Sequence, residues 1–323
     1  MLIEVRDLRK VFKKYKRKEG LLNSIKSLFN RKFVEINAVD GLSFSIRKGE
    51  LVGFLGPNGA GKSTTIKMLT GILHPTSGVV KCLGYEPFKE REKYVKNIGV
   101  IFGQKSTLWF NLPPLDSFNL SKDIYGIEEV AFKKRLNRLL DLLDIREISK
   151  TPVRRLSLGE RMKCEFVNAV LHDPKILFFD EPTIGLDIVA KEKIRDFIRD
   201  LNRKGKTIIL TTHDISDVEQ LCNRIIIIDK GKKVYDGSLR KLKKDYIKYK
   251  RLIIELEKET KSISIPNTEV IRHEGIEVEL RVDITRTSMT QVLENLFSKY
   301  KVADVNIEEQ TVESIIKSIY EGK

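Results

Sequence analysis

Eight residues constrain this chain more than any others. Gly56-Pro57-Asn58-Gly59-Ala60-Gly61-Lys62-Ser63 matches G-x-x-x-x-G-K-[ST] at every fixed position. The apolar run Leu51–Leu55 leads into it and the helix-compatible Thr64–Thr70 leads away. That strand–loop–helix context is what the motif needs. Glycines let the backbone curl until its N–H groups point at phosphate oxygens, and the helix N-terminus adds positive potential. Lys62 is expected to bridge the β- and γ-phosphates, and the Ser63 hydroxyl to ligate Mg²⁺. The loop implies a nucleoside triphosphate without specifying a reaction.

A second element supplies acids. Ile176-Leu177-Phe178-Phe179 ends in Asp180-Glu181. A buried strand that ends in a carboxylate places it at the C-terminal edge of a sheet, beside the phosphate loop. Asp180 is expected to hold Mg²⁺, and Glu181 to act as general base on the attacking water.

The rest of the chain alternates strand-like and helix-like segments from residue 50 onward, which predicts an α/β domain around a largely parallel sheet. Expected strands are 2–12, 33–55, Ile98–Phe102, Ile176–Phe179, Thr207–Thr211 and Ile225–Ile228; expected helices are Val130–Leu143, Gly159–Leu171 and Ile194–Leu201. Near Leu239 the rhythm stops. Arg240–Arg251 is dense in lysine, and short strands with helices at Met289–Lys299 and Val312–Tyr320 predict a small α+β domain over 241–323. Residues 13–32 interrupt the first strands. Leu21, Leu22, Ile25, Leu28 and Phe29 fall at helical spacing among lysines and arginines. Two readings stay open for this basic insertion: a solvated helix packed on its own domain, or contact with an anionic membrane surface or a partner's face.

Composition excludes more than it selects. The formal net charge is +15, which suits nucleic acid, anionic lipid or a phosphate-rich ligand alike. No apolar run reaches the ~18 residues of a membrane span, and the N-terminus lacks a signal-peptide core, so the expectation is a cytoplasmic chain. Cys82, Cys164 and Cys222 are too scattered for a metal site and read as buried reduced thiols.

Further residues resemble one family closely, the ATP-binding subunits of ABC transporters. Leu156-Ser157-Leu158-Gly159-Glu160-Arg161 is similar to that family's signature Leu-Ser-Gly-Gly-Gln. Asp180-Glu181-Pro182-Thr183-Ile184-Gly185-Leu186-Asp187 resembles its Walker B and D-loop run. Gln104 and His213 each follow a strand where the Q-loop glutamine and switch histidine stand, and Phe12 takes the place of the adenine-stacking aromatic. The resemblance covers residues 1 to about 240. It implies a P-loop NTPase fold with a helical subdomain at about 105–172 and an antiparallel N-terminal β-subdomain. It implies ATP and Mg²⁺ as cofactors, with Asn58, Gly59, Gly61, Lys62, Ser63 and Thr64 gripping the nucleotide. Glu181, His213 and Gln104 would be catalytic, with Gln104 also sensing the metal held by Ser63 and Asp180. Ser157, Gly159, Glu160 and Asp187 would reach the nucleotide of a second copy. The implied partners are that second copy, in a homodimer, and an integral membrane permease; Trp109 and Phe110 are candidate anchors for it, with core packing within the helical subdomain the alternative. The implied site is peripheral, on the inner face of the membrane, with export the expected direction. The tail more loosely resembles the small C-terminal domain of some exporter ATPases. A soluble ATPase acting on ribosomes or nucleic acid is the alternative; such proteins commonly carry two ATPase units or a long coiled-coil insertion, whereas this sequence shows one unit and no heptad run. A non-hydrolysing regulatory module is another, suggested by Leu158 in place of a signature glycine and Glu160 in place of glutamine. A carboxylate beside bound phosphate repels it unless a cation offsets the charge.

Overall fold

The computed structural model describes residues 1–15, 33–103, 105–212 and 214–320. By contact the chain divides into two units, Met1–Gly237 and Ser238–Lys323.

The first unit is built on two sheets. The larger has the order β5-β6-β7-β3-β8-β9, from β3 (Leu51–Leu55), β5 (Ile98–Phe102), β6 (Ile176–Asp180), β7 (Thr207–Thr211), β8 (Arg224–Asp229) and β9 (Lys232–Ser238). Its pairs β5·β6, β6·β7, β7·β3 and β3·β8 are parallel. Every residue of β3, β6 and β7 is buried. A parallel sheet is covered on both faces, so its strands are continuous apolar runs, which made them readable. The smaller sheet is antiparallel, β2-β1-β4, from β1 (Ile3–Tyr15), β2 (Phe33–Ile46) and β4 (Ser77–Cys82). One core cluster joins the sheets: Ile3, Leu8, Leu42 and Phe44 of the antiparallel sheet share it with Phe54, Phe178 and Ile226 of the parallel one.

Two expected strand boundaries are corrected. Residues 33–55 are two strands in different sheets, because Lys48-Gly49 turns the chain between Arg47 and Glu50, with Gly49 at φ 78°. Residues 13–15 are not insertion but strand, held in register by pairs such as Lys13 with Glu35. The amphipathic segment expected within 16–32 lies outside the described residues.

Helices complete the unit: α1 (Lys62–Leu69), α2 (Arg91–Val95), α3 (Pro114–Tyr125), α4 (Glu129–Leu143), α5 (Leu158–Val170), α6 (Ile188–Arg203) and α7 (Ile215–Leu221). In α4, Phe132, Leu136, Leu139, Leu140 and Leu143 form the buried stripe that marked it in sequence. Helix α6 starts six residues before the expected Ile194. Asp187 caps it by accepting from the Ala190 N–H, while Ile188 and Val189 are exposed, so its first turn carries no inward pattern.

The second unit pairs its strands antiparallel in the order β11-β12-β10-β13. These are β10 (Tyr249–Leu256), β11 (Thr268–Glu274), β12 (Glu277–Asp283) and β13 (Val302–Glu309). Helices α8 (Leu239–Tyr246), α9 (Met289–Lys299) and α10 (Val312–Tyr320) accompany them. Leu252, Ile254, Val278, Leu280 and Val282 alternate inward and pack on Val292 and Leu296 of α9. The lysine-dense Arg240–Arg251 thus contains most of α8 and the start of β10, its helix capped by Ser238.

All three cysteines are free and buried. Burial pushes the Cys82 and Cys164 thiols up to about 12, and Cys222 higher still. Thiols so protonated are packing groups.

Candidate functional site

Sheet register brings the phosphate loop and the acids together. Phe54 pairs with Thr211, Thr211 with Asp180, and Asp180 with Phe102. Four strand ends are therefore level, and the loop begins two residues beyond Phe54. Asp180, 8% exposed, accepts from the Ser63 hydroxyl at 3.1 Å and from the Thr211 hydroxyl in a short bond. Glu181 stands at φ 54°, a left-handed conformation costly for a side-chain-bearing residue. Its N–H donates to the Thr211 carbonyl at 3.0 Å. The Gly103 N–H donates to the Asp180 carbonyl at 2.8 Å, and a Cβ on Gly103 would lie 2.3 Å from the Glu181 carbonyl oxygen. This approach tolerates only glycine.

The loop is equally constrained. Gly61, at φ 104°, precedes α1, and a Cβ there would meet the Ala38 carbonyl oxygen at 2.4 Å. The Lys62 ammonium donates to the carbonyls of Gly56 at 2.6 Å and Pro57 at 3.2 Å. Burial lowers its pKa, and the charges of Glu181 and Asp180 oppose that shift. A cleft of about 910 Å³ opens here, lined by Asn58, Gly59, Gly61, Lys62, Ser63 and Thr64 with Asp180 and Glu181. All six expected loop residues and both acids thus share one cavity. Ser63 and Asp180 present adjacent hard oxygens, a pair that fits a Mg²⁺ ion completed by water and phosphate oxygens.

Other expected site residues fall elsewhere. Ser157, Gly159, Glu160 and Asp187 do not line this cleft. They form a second cluster at the facing starts of α5 and α6. A Cβ on Gly159 would lie 3.2 Å from the Ala190 Cβ, and one on Gly185 would lie 2.9 Å from Leu158 Cδ2. Ser157 caps α5 in a capping box. The Glu160 carboxylate accepts from the Ser157 N–H at 2.8 Å and the Ser157 hydroxyl at 2.9 Å. Phe12 is 40% exposed on β1, opposite Ile36 of β2, and carries the Lys10 ammonium 5.3 Å from its ring centre. Gln104 and His213 lie outside the described residues. Of the remaining histidines, His172 stacks on Tyr125 and bonds the Ile98 carbonyl, and His74 packs edge-on against Phe88.

This geometry has counterparts among known proteins. The ABC transporter family model matches residues 39–184. The chain is 36% identical over 214 residues to the ABC transporter ATP-binding protein NatA of Bacillus subtilis (strain 168), covering 66% of this chain and 87% of that one. It is 35% identical over 218 residues to the Nod factor export ATP-binding protein I of Ralstonia nicotianae, covering 66% of each. A solved ATP-binding subunit of an ABC transporter superposes with a TM-score of 0.64 at 27% identity, over 76% of this chain and 93% of that one. The chain belongs to the ABC transporter ATP-binding family. It is an ATP-binding subunit and an ATPase.

Two features of this ABC subunit escaped sequence reasoning. Thr211 of β7 stands between the loop strand and the acid strand, where its hydroxyl holds Asp180; nothing in the pattern of β7 distinguishes it from a buried strand threonine. The second is a buried polar cluster behind the acids. Asp217, fully buried, accepts from Arg195 Nε at 2.7 Å and from the Thr183 hydroxyl at 2.5 Å, and Arg195 also reaches Ser216 at 2.8 Å. It ties α6 and α7 to the turn after Glu181. Breaking one partner of such a pair leaves an uncompensated buried charge.

Beside it, Lys191 of α6 bonds Asp214 at 2.8 Å. Burial alone would raise the Asp214 carboxyl, but bonds from Lys191 and Ser216 with the Lys191 charge hold it at about 2, below its ordinary 3.8. The native state therefore binds fewer protons than the unfolded chain between those values. The stabilisation is full above the ordinary value, declines as pH falls, and is gone below about pH 2. Asp214→Asn is expected to be less stable than the parent at neutral pH and equal to it near pH 2, as read from urea midpoints. The gap is modest, because solvent screens this part-exposed pair. A gap independent of pH would refute the assignment.

Proposed function

We propose that two copies of this chain close around ATP and Mg²⁺, each copy supplying the phosphate loop for one nucleotide and the Ser157 segment for the other, and that closure drives a separate integral membrane permease. One observation carries the reading: the cleft gathers Lys62, Ser63, Asp180 and Glu181, while Ser157, Gly159 and Asp187 form a cluster outside it. A cluster with an exposed helix N-terminus suits a phosphate brought by another copy.

Within a closed site, Lys62 and the loop N–H groups grip the β- and γ-phosphates. Ser63 and Asp180 would hold Mg²⁺, which neutralises charge developing on the phosphate oxygens. Glu181 takes a proton from the attacking water, and its left-handed backbone aims the carboxylate from a position fixed by Thr211 and Gly103. Gln104 and His213 are assigned to metal sensing and water orientation, and Phe12 to adenine stacking, on the family resemblance. ATP favours the closed pair, and its hydrolysis removes that preference.

Trp109, Phe110 and Leu112 are exposed apolar residues just after the Gln104 loop, and form the proposed permease contact. Export as the direction rests on the relative whose name states it. The proposed place is the cytoplasmic face of the membrane; among the described residues no helix is long and apolar enough to cross one. Residues 241–323 are proposed as an accessory domain.

The test is light scattering of the purified chain with and without ATP, together with copurification from membranes of an integral membrane chain. A dimer with ATP is expected. Glu160→Gln is expected to lower the ATP concentration for half-maximal dimer roughly tenfold, since a like charge a few Å from phosphate costs on the order of 1–4 kcal/mol. A chain that stays monomeric with ATP as parent, as Glu160→Gln and as Glu181→Gln would sink the reading.

A further inference from the structure

A further buried carboxylate stands outside the cleft. Glu165 lies near the middle of α5 and is 4% exposed. A carboxylate taken from water needs its lone pairs filled. Here the donors all come from one loop, two and three residues after Gln104. The Thr107 N–H donates at 3.0 and 3.2 Å to the two carboxylate oxygens, the Thr107 hydroxyl at 2.5 Å, and the Ser106 hydroxyl in a short bond. Asn168, one turn further along α5, donates to the Thr107 hydroxyl at 3.2 Å and accepts from Ser121 of α3 at 2.7 Å. Ser117 of α3 accepts from the Trp109 N–H at 3.1 Å. The connection from β5 to α3 is therefore riveted to α5 through Glu165.

The same helix carries Ser157 at its N-cap, eight residues and about 12 Å from Glu165. A helix is stiff over that length. Displacement of loop 105–109 must move the Ser157 end, and the reverse. We propose that Glu165 is a positioning residue for ATP hydrolysis, making loop 105–109 and α5 one mechanical piece. The residue next to that loop, Gln104, and the Ser157 segment then take up their places in concert. This rests on the two-copy reading above and adds to it the part that couples the two segments within each copy.

The experiment compares steady-state ATPase kinetics and ATP affinity of the full chain with Glu165→Ala, Glu165→Gln and Thr107→Val. Glu165→Ala is expected to lower kcat about 10- to 100-fold, the size of effect that a displacement near 1 Å produces. ATP affinity should change by no more than about twofold, since the loss falls on the transition state and not on ground-state binding. Glu165→Gln keeps the shape, with one oxygen still accepting and its amide donating to the Thr107 hydroxyl, and should restore most of kcat. In a Gln104→Ala background, Glu165→Ala should lower kcat no further. A merely structural Glu165 would give losses that multiply in full with Gln104→Ala, and that result overturns the proposal. So does a Glu165→Ala enzyme with parental kcat, or a Glu165→Gln enzyme as impaired as Glu165→Ala. If Glu165→Ala does not fold, Thr107→Val, which removes one hydroxyl, decides by the same kinetic split. If the parent itself shows no turnover, the hydrolysis reading fails separately. Hydrogen exchange then judges the rivet: Glu165→Gln should keep, and Thr107→Val lose, protection of amides 106–109.

Discussion

Glu181→Gln should bind ATP like the parent and turn it over about 10²–10⁴-fold more slowly, the range a positioned general base contributes. The substitution is nearly isosteric, and the N–H of residue 181 still donates to the carbonyl and hydroxyl of Thr211. Geometry should therefore survive while proton acceptance is lost. The second consequence is mass. If ATP joins two copies and hydrolysis releases them, the variant should accumulate as an ATP-bound dimer under conditions where the parent cycles. Turnover at the parental rate would remove Glu181 from the role of base. Slow turnover without dimer would spare the base and reject the closing mechanism.

Gly103→Ala should be nearly as damaging, although residue 103 carries no chemistry. Its Cβ would lie 2.3 Å from the Glu181 carbonyl oxygen and 3.0 Å from that of Asp180. Both are backbone atoms and cannot rotate away. The end of β5 must separate from the end of β6, displacing the two acids from the phosphate loop. A shift near 1 Å there costs on the order of 100-fold in kcat. The fold should persist, because the clash is at the rim and not in the cluster around Phe54 and Phe178. Circular dichroism and ATPase rates measured together check this: folded and slow is expected, whereas folded and fully active would show that the approach is not needed.

Much of this was legible in residues alone. The phosphate loop announced itself because its chemistry demands glycines, a lysine and a hydroxyl at set intervals. The parallel strands were readable because burial on both faces forces unbroken apolar runs such as Ile176–Phe179. Helix α4 was readable from its stripe, and α6 only in part, because its first turn exposes Ile188 and Val189. The turn at Lys48-Gly49 and the helix within the lysine-dense Arg240–Arg251 were missed for the opposite reason: neither produces an apolar period.

By itself, then, the sequence determined the chemistry at hand, which is phosphate binding, the acid pair and the family they belong to, since these depend on residue identity at short spacing. Tertiary structure decided what depends on distances across the chain. It levelled Phe54, Thr211 and Asp180 through strand register, so that acids more than a hundred residues from the loop share its cleft. It put Ser157 and Asp187 in a cluster outside that cleft, and filled the buried Glu165 carboxylate with donors from a loop nearly sixty residues earlier. Hydrogen bonds and contacts of this kind close only when strands and helices pack, and no local pattern encodes them.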